Sequence, residues 1–174
     1  LQRMPPEREF SRKIVVVVGG ASGIGREVAL QIARRGGHVV VADMNVASAE
    51  EAAKEAAGLS SKEMVLATAL DLTSRDSIAA AFRATVDRFG GIDAIVNTAA
   101  IYPTPAPGTP PDDAWAKAMH VNVTSNYVLA DEAGFHIRQL RECNRPHGEV
   151  VHVIVEAPQA PRIRPARAAG APRY

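Results

Sequence analysis

The residues of this 174-residue chain best placed to do chemistry lie in one turn, Gly19-Gly20-Ala21-Ser22-Gly23-Ile24-Gly25, and at Asp43, 18 positions beyond its last glycine. Glycine has no Cβ, so a glycine-dense turn lets backbone N–H groups come close to a pyrophosphate. If a helix begins in that turn, the phosphate charge sits at the positive end of its dipole. Gly19, Ser22, Gly23, Ile24 and Gly25 are therefore candidate binding residues. An acid about 20 residues on, at the end of the next strand, can accept hydrogen bonds from both hydroxyls of an adenosine ribose. The same carboxylate repels a 2′-phosphate, so Asp43 favours NAD, with NADP the weaker expectation. The bland alternative is a glycine turn that only joins a strand to a helix. Gly20-Ala21-Ser22-Gly23 is not the G-x-S-x-G of a nucleophile elbow.

The elements around this turn would have to place it. Ile14 to Val18 is an apolar β-branched run that reads as a strand buried on both faces. After the turn, Ile24, Val28 and Ile32 recur every four residues, a helical stripe that Gly36-Gly37 stops. His38 to Ala42 is a second strand ending at Asp43, and Asn45 caps a helix with an alanine face that Gly58 ends. Met64 to Leu70 reads as a third strand. Thr73 or Ser74 then caps a helix with Ile78, Phe82, Val86 and Phe89 on one face. Ile92 to Val96 is a fourth strand running into Asn97-Thr98-Ala99-Ala100. Strands alternating with helices predict an α/β fold, a doubly wound parallel sheet of Rossmann type.

The stretch IYPTPAPGTPPDD holds five prolines and reads as a loop. From about Pro111 one long helix is expected, with Trp115, Met119, Val123, Leu129, Ala133, Ile137 and Leu140 along its apolar side. Asn122 falls inside it, either as a solvated residue or as a functional one. Val150 to Val155 is a fifth strand carrying His152, and the pattern stops there, so the sheet is expected to be truncated after it. The organisation read from this is a linker-like segment 1–12, a dinucleotide-binding domain 13–155, and a Pro/Arg/Ala-rich irregular tail 156–174.

Composition narrows the function classes. With 47% hydrophobic and 22% charged residues the chain has material for one core, and its net charge of +1 favours neither nucleic acid nor a membrane surface. No apolar run nears the roughly 20 residues of a membrane span, and the N-terminal segment has no signal core, so a cytoplasmic location is expected. Cys143 is the only cysteine, and the five histidines show no ligand spacing, so no metal site is expected.

Taken together these motifs resemble the short-chain dehydrogenases/reductases. The family's TGxxxGxG is matched by Val18 to Gly25 with valine in place of threonine, and its acid after the second strand by Asp43. Its adenine-contacting pair is matched by Asp71-Leu72, and its NNAG segment by Asn97-Thr98-Ala99-Ala100 with departures. The resemblance makes Asp71, Leu72, Asn97, Thr98 and Ala99 cofactor-binding residues and Asn122 the helix asparagine of the catalytic set. It implies hydride transfer between nicotinamide and a small secondary alcohol or carbonyl compound, and pairing of subunits through the helix at 111–142 to form a homo-oligomer. With its companion helix missing, an apolar face around Trp115, Met119 and Leu129 is expected to be partly uncovered. VNTAAIYPTP and VNVTSNYVLADEA further resemble the C-terminal dehydrogenase domain of bifunctional proteins that carry a class II aldolase ahead of it.

The resemblance fails in its catalytic half. The family's serine position falls at Val155, or at Ile154 or Glu156 with a slip, and its tyrosine and lysine positions fall near Ala168 and Pro172. No Tyr-x-x-x-Lys follows Val155, and Lys117 is the last lysine. Of the 19 tail residues four are proline, four arginine and six alanine, a composition expected of out-of-frame or truncated sequence, the alternative being a natural Pro/Arg-rich tail. Two functions stand: an NAD-dependent oxidoreductase domain, or a non-catalytic NAD-binding module.

Overall fold

The computed structural model of the chain describes residues 9–104, 111–142 and 153–155, with side chains placed for 9–104 and 111–136. Five strands form one parallel sheet: β1 (Ile14–Val18), β2 (His38–Asp43), β3 (Val65–Ala69), β4 (Ala94–Asn97) and β5 (Val153–Val155). Their spatial order is β3-β2-β1-β4-β5. The helices are α1 (Gly23–Arg34), α2 (Val46–Leu59), α3 (Arg75–Phe89), α4 (Asp112–Met119) and α5 (Ser125–Glu142), with a π-turn, His120–Thr124, between the last two. This is the doubly wound α/β sheet that the strand–helix alternation predicts.

Alternate valines of β1 and β2 build one core on each face of the sheet. Val15, Val17, Val39 and Val41 pack with Ala29, Ile32 and Ala33 of α1 and with Ala49, Ala52 and Ala56 of α2. Val16, Val18, Val40 and Ile95 pack on the other face with Ile78 and Phe82 of α3 and with Leu129 and Ala133 of α5. A strand buried on both sides has no polar face to show, which is why these runs are continuous rather than alternating.

Local chemistry sets the helix ends. Asn45 caps α2 through a 3.1 Å bond that its Oδ1 accepts from Ser48 N, and Ser74, not Thr73, caps α3 by accepting from Ser77 N at 3.2 Å. Gly90 ends α3 in the left-handed conformation, φ +88°. Gly58, expected to end α2, lies inside it; the helix runs one residue further, to Leu59, and is capped by Ser60. Ile92 lies outside β4 because sheet pairing begins at Ala94, opposite Val15.

The expected single helix from Pro111 is interrupted. Trp115, Met119 and Val123, read as core-facing, are exposed, as is Tyr127. The buried row is instead Val121, Ser125, Leu129 and Ala133. Ser125 hides this row in the sequence, yet it buries at little cost because its Oγ donates to the carbonyl of Val121. Leu129 is fully buried and so does not belong to the uncovered face around Trp115 and Met119. Ile24 also departs from its expected stripe: it is 46% exposed and lines the cleft described below instead of the core.

The segments 1–8, 105–110 and 156–174, the part of the expected fifth strand at 150–152, and the family positions Glu156, Ala168 and Pro172 lie outside the described residues. Among the described residues no helix is long and apolar enough to cross a membrane.

Phe82 and Leu129 close the core beneath α3 and α5. Phe82→Ala is expected to destabilise the fold by about 3–5 kcal/mol through lost burial and an unfilled cavity. Urea denaturation followed by far-UV circular dichroism measures this, and a loss below about 1 kcal/mol would remove Phe82 from the core's main supports.

Candidate functional site

The chain leaves β1 towards β2 on one side, while β4 joins β1 from the other. At such a reversal the loops after neighbouring strands part and leave a crevice at the strands' C-terminal ends. A cleft of about 570 Å³ occupies this place, within the ~300–1,000 Å³ range of small-ligand sites. Its walls are the glycine turn, the end of β2, the segment after β3, the segment after β4, and one face of α4.

The glycine turn is shaped by close approaches. A Cβ on Gly25 would lie 2.2 Å from the carbonyl oxygen of Gly19 and 2.5 Å from Thr98 Oγ1, so only glycine lets α1 dock here. Gly23 differs: it has φ +53° and nothing within 4 Å of where a Cβ would stand, so it opens onto the cleft. Ser22 is the N-cap of α1 but its side chain makes no capping bond, and the first turn carries no acid. The leading N–H groups of α1 therefore stand at the cleft without a side-chain acceptor, an arrangement suited to an anion.

Asp43 stands across from that turn. Its Oδ2 accepts from Ala21 N at 3.2 Å and its Oδ1 from Asn45 N at 3.0 Å, so it ties the glycine turn to the end of β2. Asp71, on the next segment, accepts from Thr73 N at 2.8 Å and from Thr73 Oγ1 at 2.7 Å. The Thr73 hydroxyl and then its N–H hold the Asp71 carboxyl below the usual carboxylate range. Leu72, next in the chain, is buried and also lines the cleft. Asp43, Asp71 and, from α4, Lys117 thus line the same crevice.

The cleft brings together Gly19, Ser22, Gly23, Ile24, Gly25, Asp43, Asp71, Leu72, Thr98 and Ala99. It leaves Asn97 and Asn122 behind its wall. Asn97 is buried; its Oδ1 accepts from Ala99 N at 3.1 Å and its Nδ2 donates to Asn126 Oδ1 at 2.8 Å. Asn122, in the π-turn, holds Ile101 by both ends: Oδ1 accepts from Ile101 N at 2.9 Å and Nδ2 donates to Ile101 O at 2.8 Å. π-turns inserted in α-helices often mark functional places, because they rotate one side chain out of register.

Among the residues that escaped the sequence reading, three stand out. Met44, 78% exposed on the cleft rim, follows Asp43 directly, and an apolar residue just past a strand end was the available signal. Lys117 shares a helix face with Val121, four residues on. Asn126 stands four residues after Asn122, a spacing that places both on one side of a helix.

The family profile described as short chain dehydrogenase matches residues 13–166, past Val155 where the sequence resemblance ends. An uncharacterized oxidoreductase, YuxG, of Bacillus subtilis (strain 168) is 36% identical over 145 residues, which are 81% of this chain and 20% of the relative. The short chain dehydrogenase/reductase astE of Aspergillus oryzae is 39% identical over 121 residues, 67% of this chain and 46% of the relative. A solved 7α-hydroxysteroid dehydrogenase in complex with NADH and 7-oxo glycochenodeoxycholic acid superposes with a TM-score of 0.68 at 26% identity, over 76% of this chain and 51% of that one. The matched part of the chain thus spans between 20% and 51% of the length of these proteins.

The two glycines should respond differently to alanine. Gly25→Ala forces its new methyl against backbone and is expected to cost about 1–3 kcal/mol or more. Gly23→Ala has room but takes a left-handed conformation, costing about 1–2 kcal/mol. Thermal unfolding of both variants checks the order, and a larger loss at Gly23 would contradict the docking of α1 described above.

Proposed function

This chain belongs to the short-chain dehydrogenase family, an oxidoreductase family, and on that premise we propose that its cleft binds NAD for hydride transfer to or from a small secondary alcohol or carbonyl compound. The observation that carries the reading is the Asp43 carboxylate facing the cleft opposite the open N-terminus of α1. A dinucleotide needs an anion site and a hydroxyl acceptor a few ångströms apart, and these residues fit both needs. The bound nicotinamide would supply or accept the hydride. The N–H groups that open α1 would hold the pyrophosphate, Gly23 giving it room. Asp43 would accept from the ribose hydroxyls while its second oxygen keeps the turn in place. Asp71 and Leu72 would flank the adenine, and Thr98 and Ala99 would form the wall behind it.

For Asn122 we propose a place in proton transfer as the holder of a water. Its side chain is committed to Ile101, so such a water would bind its backbone carbonyl oxygen, sharing it with the Asn126 amide that already donates there. The second reading, a module that binds NAD without turning it over, is favoured by one feature of the sequence: no Tyr-x-x-x-Lys follows Val155. A turnover assay run beside a binding titration separates the two. We also propose that the chain is the dehydrogenase part of an aldolase–dehydrogenase protein. Support comes from the wording of residues 96–105 and 121–133, and from YuxG, in which a match to most of this chain fills only 20% of the relative.

Cofactor choice tests the role of Asp43. Calorimetric titration of the chain with NAD and NADP should give tighter NAD binding, because a 2′-phosphate beside a carboxylate is repelled by several kcal/mol at short range (~4 kcal/mol at 4 Å and an effective dielectric of 20). Asp43→Ser should narrow the ratio while weakening NAD, since the bond to Ala21 N is also lost. Gly23→Val should weaken both cofactors alike. An unchanged ratio in a folded Asp43→Ser variant would end the ribose assignment.

We further propose self-association through the exposed row of Trp115, Met119, Val123 and Tyr127, which runs four residues apart along α4, the π-turn and α5. Sedimentation velocity should show a concentration-dependent shift that Trp115→Glu abolishes; a single monomeric species at all concentrations would oppose it.

A further inference from the structure

We propose that Asn126 is a positioning residue for the cofactor cleft, holding the wall at Thr98–Ile101 without itself lining the site. The inference rests on the reading of that cleft as a dinucleotide site. The segment after β4 is not a strand, yet it forms a whole side of the cleft. Thr98 N donates to Val18 O at 2.9 Å, and beyond it the backbone is tied down by side chains at two points. Ala99 N donates to Asn97 Oδ1, and Ile101 N and O both bond to the side chain of Asn122. Asn97 ends β4 and Asn122 lies in the π-turn, so the two anchors stand on different elements. Asn126, in the first turn of α5, joins them: its Oδ1 accepts from Asn97 Nδ2 at 2.8 Å and its Nδ2 donates to Asn122 O at 2.7 Å.

The direction of this chain of bonds is fixed at both ends by the backbone. An N–H can only donate, so Asn97 must present its oxygen to Ala99 and its amide nitrogen to Asn126. A carbonyl can only accept, so Asn126 must present its nitrogen to Asn122 and its oxygen to Asn97. Turning any one amide over would set oxygen against oxygen or N–H against N–H. Position 126 therefore needs a side chain that accepts at one end and donates at the other, with the reach of asparagine. Aspartate keeps the first bond and turns the second into repulsion between its carboxylate and the carbonyl of Asn122. Alanine removes both. Asn97 is buried, and a buried amide left with an unmet donor tends to shift towards water, taking its other partner with it. The loss is expected to reach Ile101 first in the aspartate variant, and Ala99 as well as Ile101 in the alanine variant.

The test uses amide hydrogen exchange of the full chain in the absence of cofactor, with NAD and NADP titrations beside it. In Asn126→Asp the Ile101 amide should exchange roughly tenfold faster, the factor that the loss of one buried hydrogen bond carries, with Ala99 less affected. In Asn126→Ala both amides should speed up. In both variants the amides of β1 and β2 should keep their protection, and NAD and NADP should weaken by the same factor, roughly tenfold, leaving their ratio as in the unsubstituted chain. That equal weakening separates a wall-holding residue from one that reads the ribose. If the aspartate variant does not fold, the alanine variant, which brings in no charge, decides by the same measurements. The proposal is overturned if folded variants leave Ala99 and Ile101 exchange unchanged, or if β1 and β2 loosen equally. Should the unsubstituted chain bind neither dinucleotide, the cofactor reading of the cleft fails, while exchange at the wall still decides whether Asn126 holds it.

Discussion

The structure depends on how closely α1 can approach the ends of β1 and β4. At Gly25 the helix backbone lies so near Gly19 and Thr98 that a methyl group has no place, and at Gly19 a Cβ would meet Ala99 N at 2.9 Å. Thr98 fastens the contact from the other side, its Oγ1 donating to Val18 O at 3.0 Å. Any larger residue would lift α1 by about the width of a side chain. Its first N–H groups would then no longer face the crevice, and the turn would lose the acceptor that Asp43 offers to Ala21 N. One steric constraint thus holds strand, helix and cleft in a common geometry.

The sheet supplies the rigidity this needs, by different means on its two faces. Under α1 and α2 the helical side chains are mostly alanine, which lets both helices lie close to the valines of β1 and β2. Under α3 and α5 the space is filled by Phe82, Ile78 and Leu129. His136 belongs to this second layer, edge-on to Phe82 at 6.0 Å between ring centroids. Burial pushes its pKa down, and the Glu132 carboxylate offsets only part of that, so the neutral ring is the form that suits the apolar layer. Arg75 spans from the start of α3 to Asp131 and Glu132 of α5. Solvent screens the exposed Arg75 guanidinium, so these pairs contribute little by themselves and the apolar layer does most to hold α5 in place.

The polar groups divide by location. Those at the cleft, Asp43 and Asp71, each combine a structural bond to nearby backbone with an outward-facing carboxylate. Those behind the wall, Asn97, Asn122 and Asn126, spend their hydrogen-bonding capacity on one another and on the wall. Such a separation keeps the cleft's shape independent of what it binds, because the groups that set the wall are not the groups that would touch a ligand.

Much of this was legible in the sequence. The continuous valine runs, the glycine spacing and the acid at the end of β2 state their own requirements locally. A strand buried on both faces reads as unbroken β-branched residues, and a helix that opens on a crowded turn reads as glycine where a Cβ would collide. What happens after β4 could not be read that way. Ser125 looks polar and is buried, Trp115 and Val123 look like core and are exposed, and Asn122 sits in a π-turn that periodicity alone cannot reveal. There the outcome rests on bonds between residues 21 to 29 positions apart, Ile101 with Asn122 and Asn97 with Asn126. Local propensity decided the first half of the fold; the cleft's far wall was decided by which side-chain amides could find partners, and that is known only once the chain has folded back on itself.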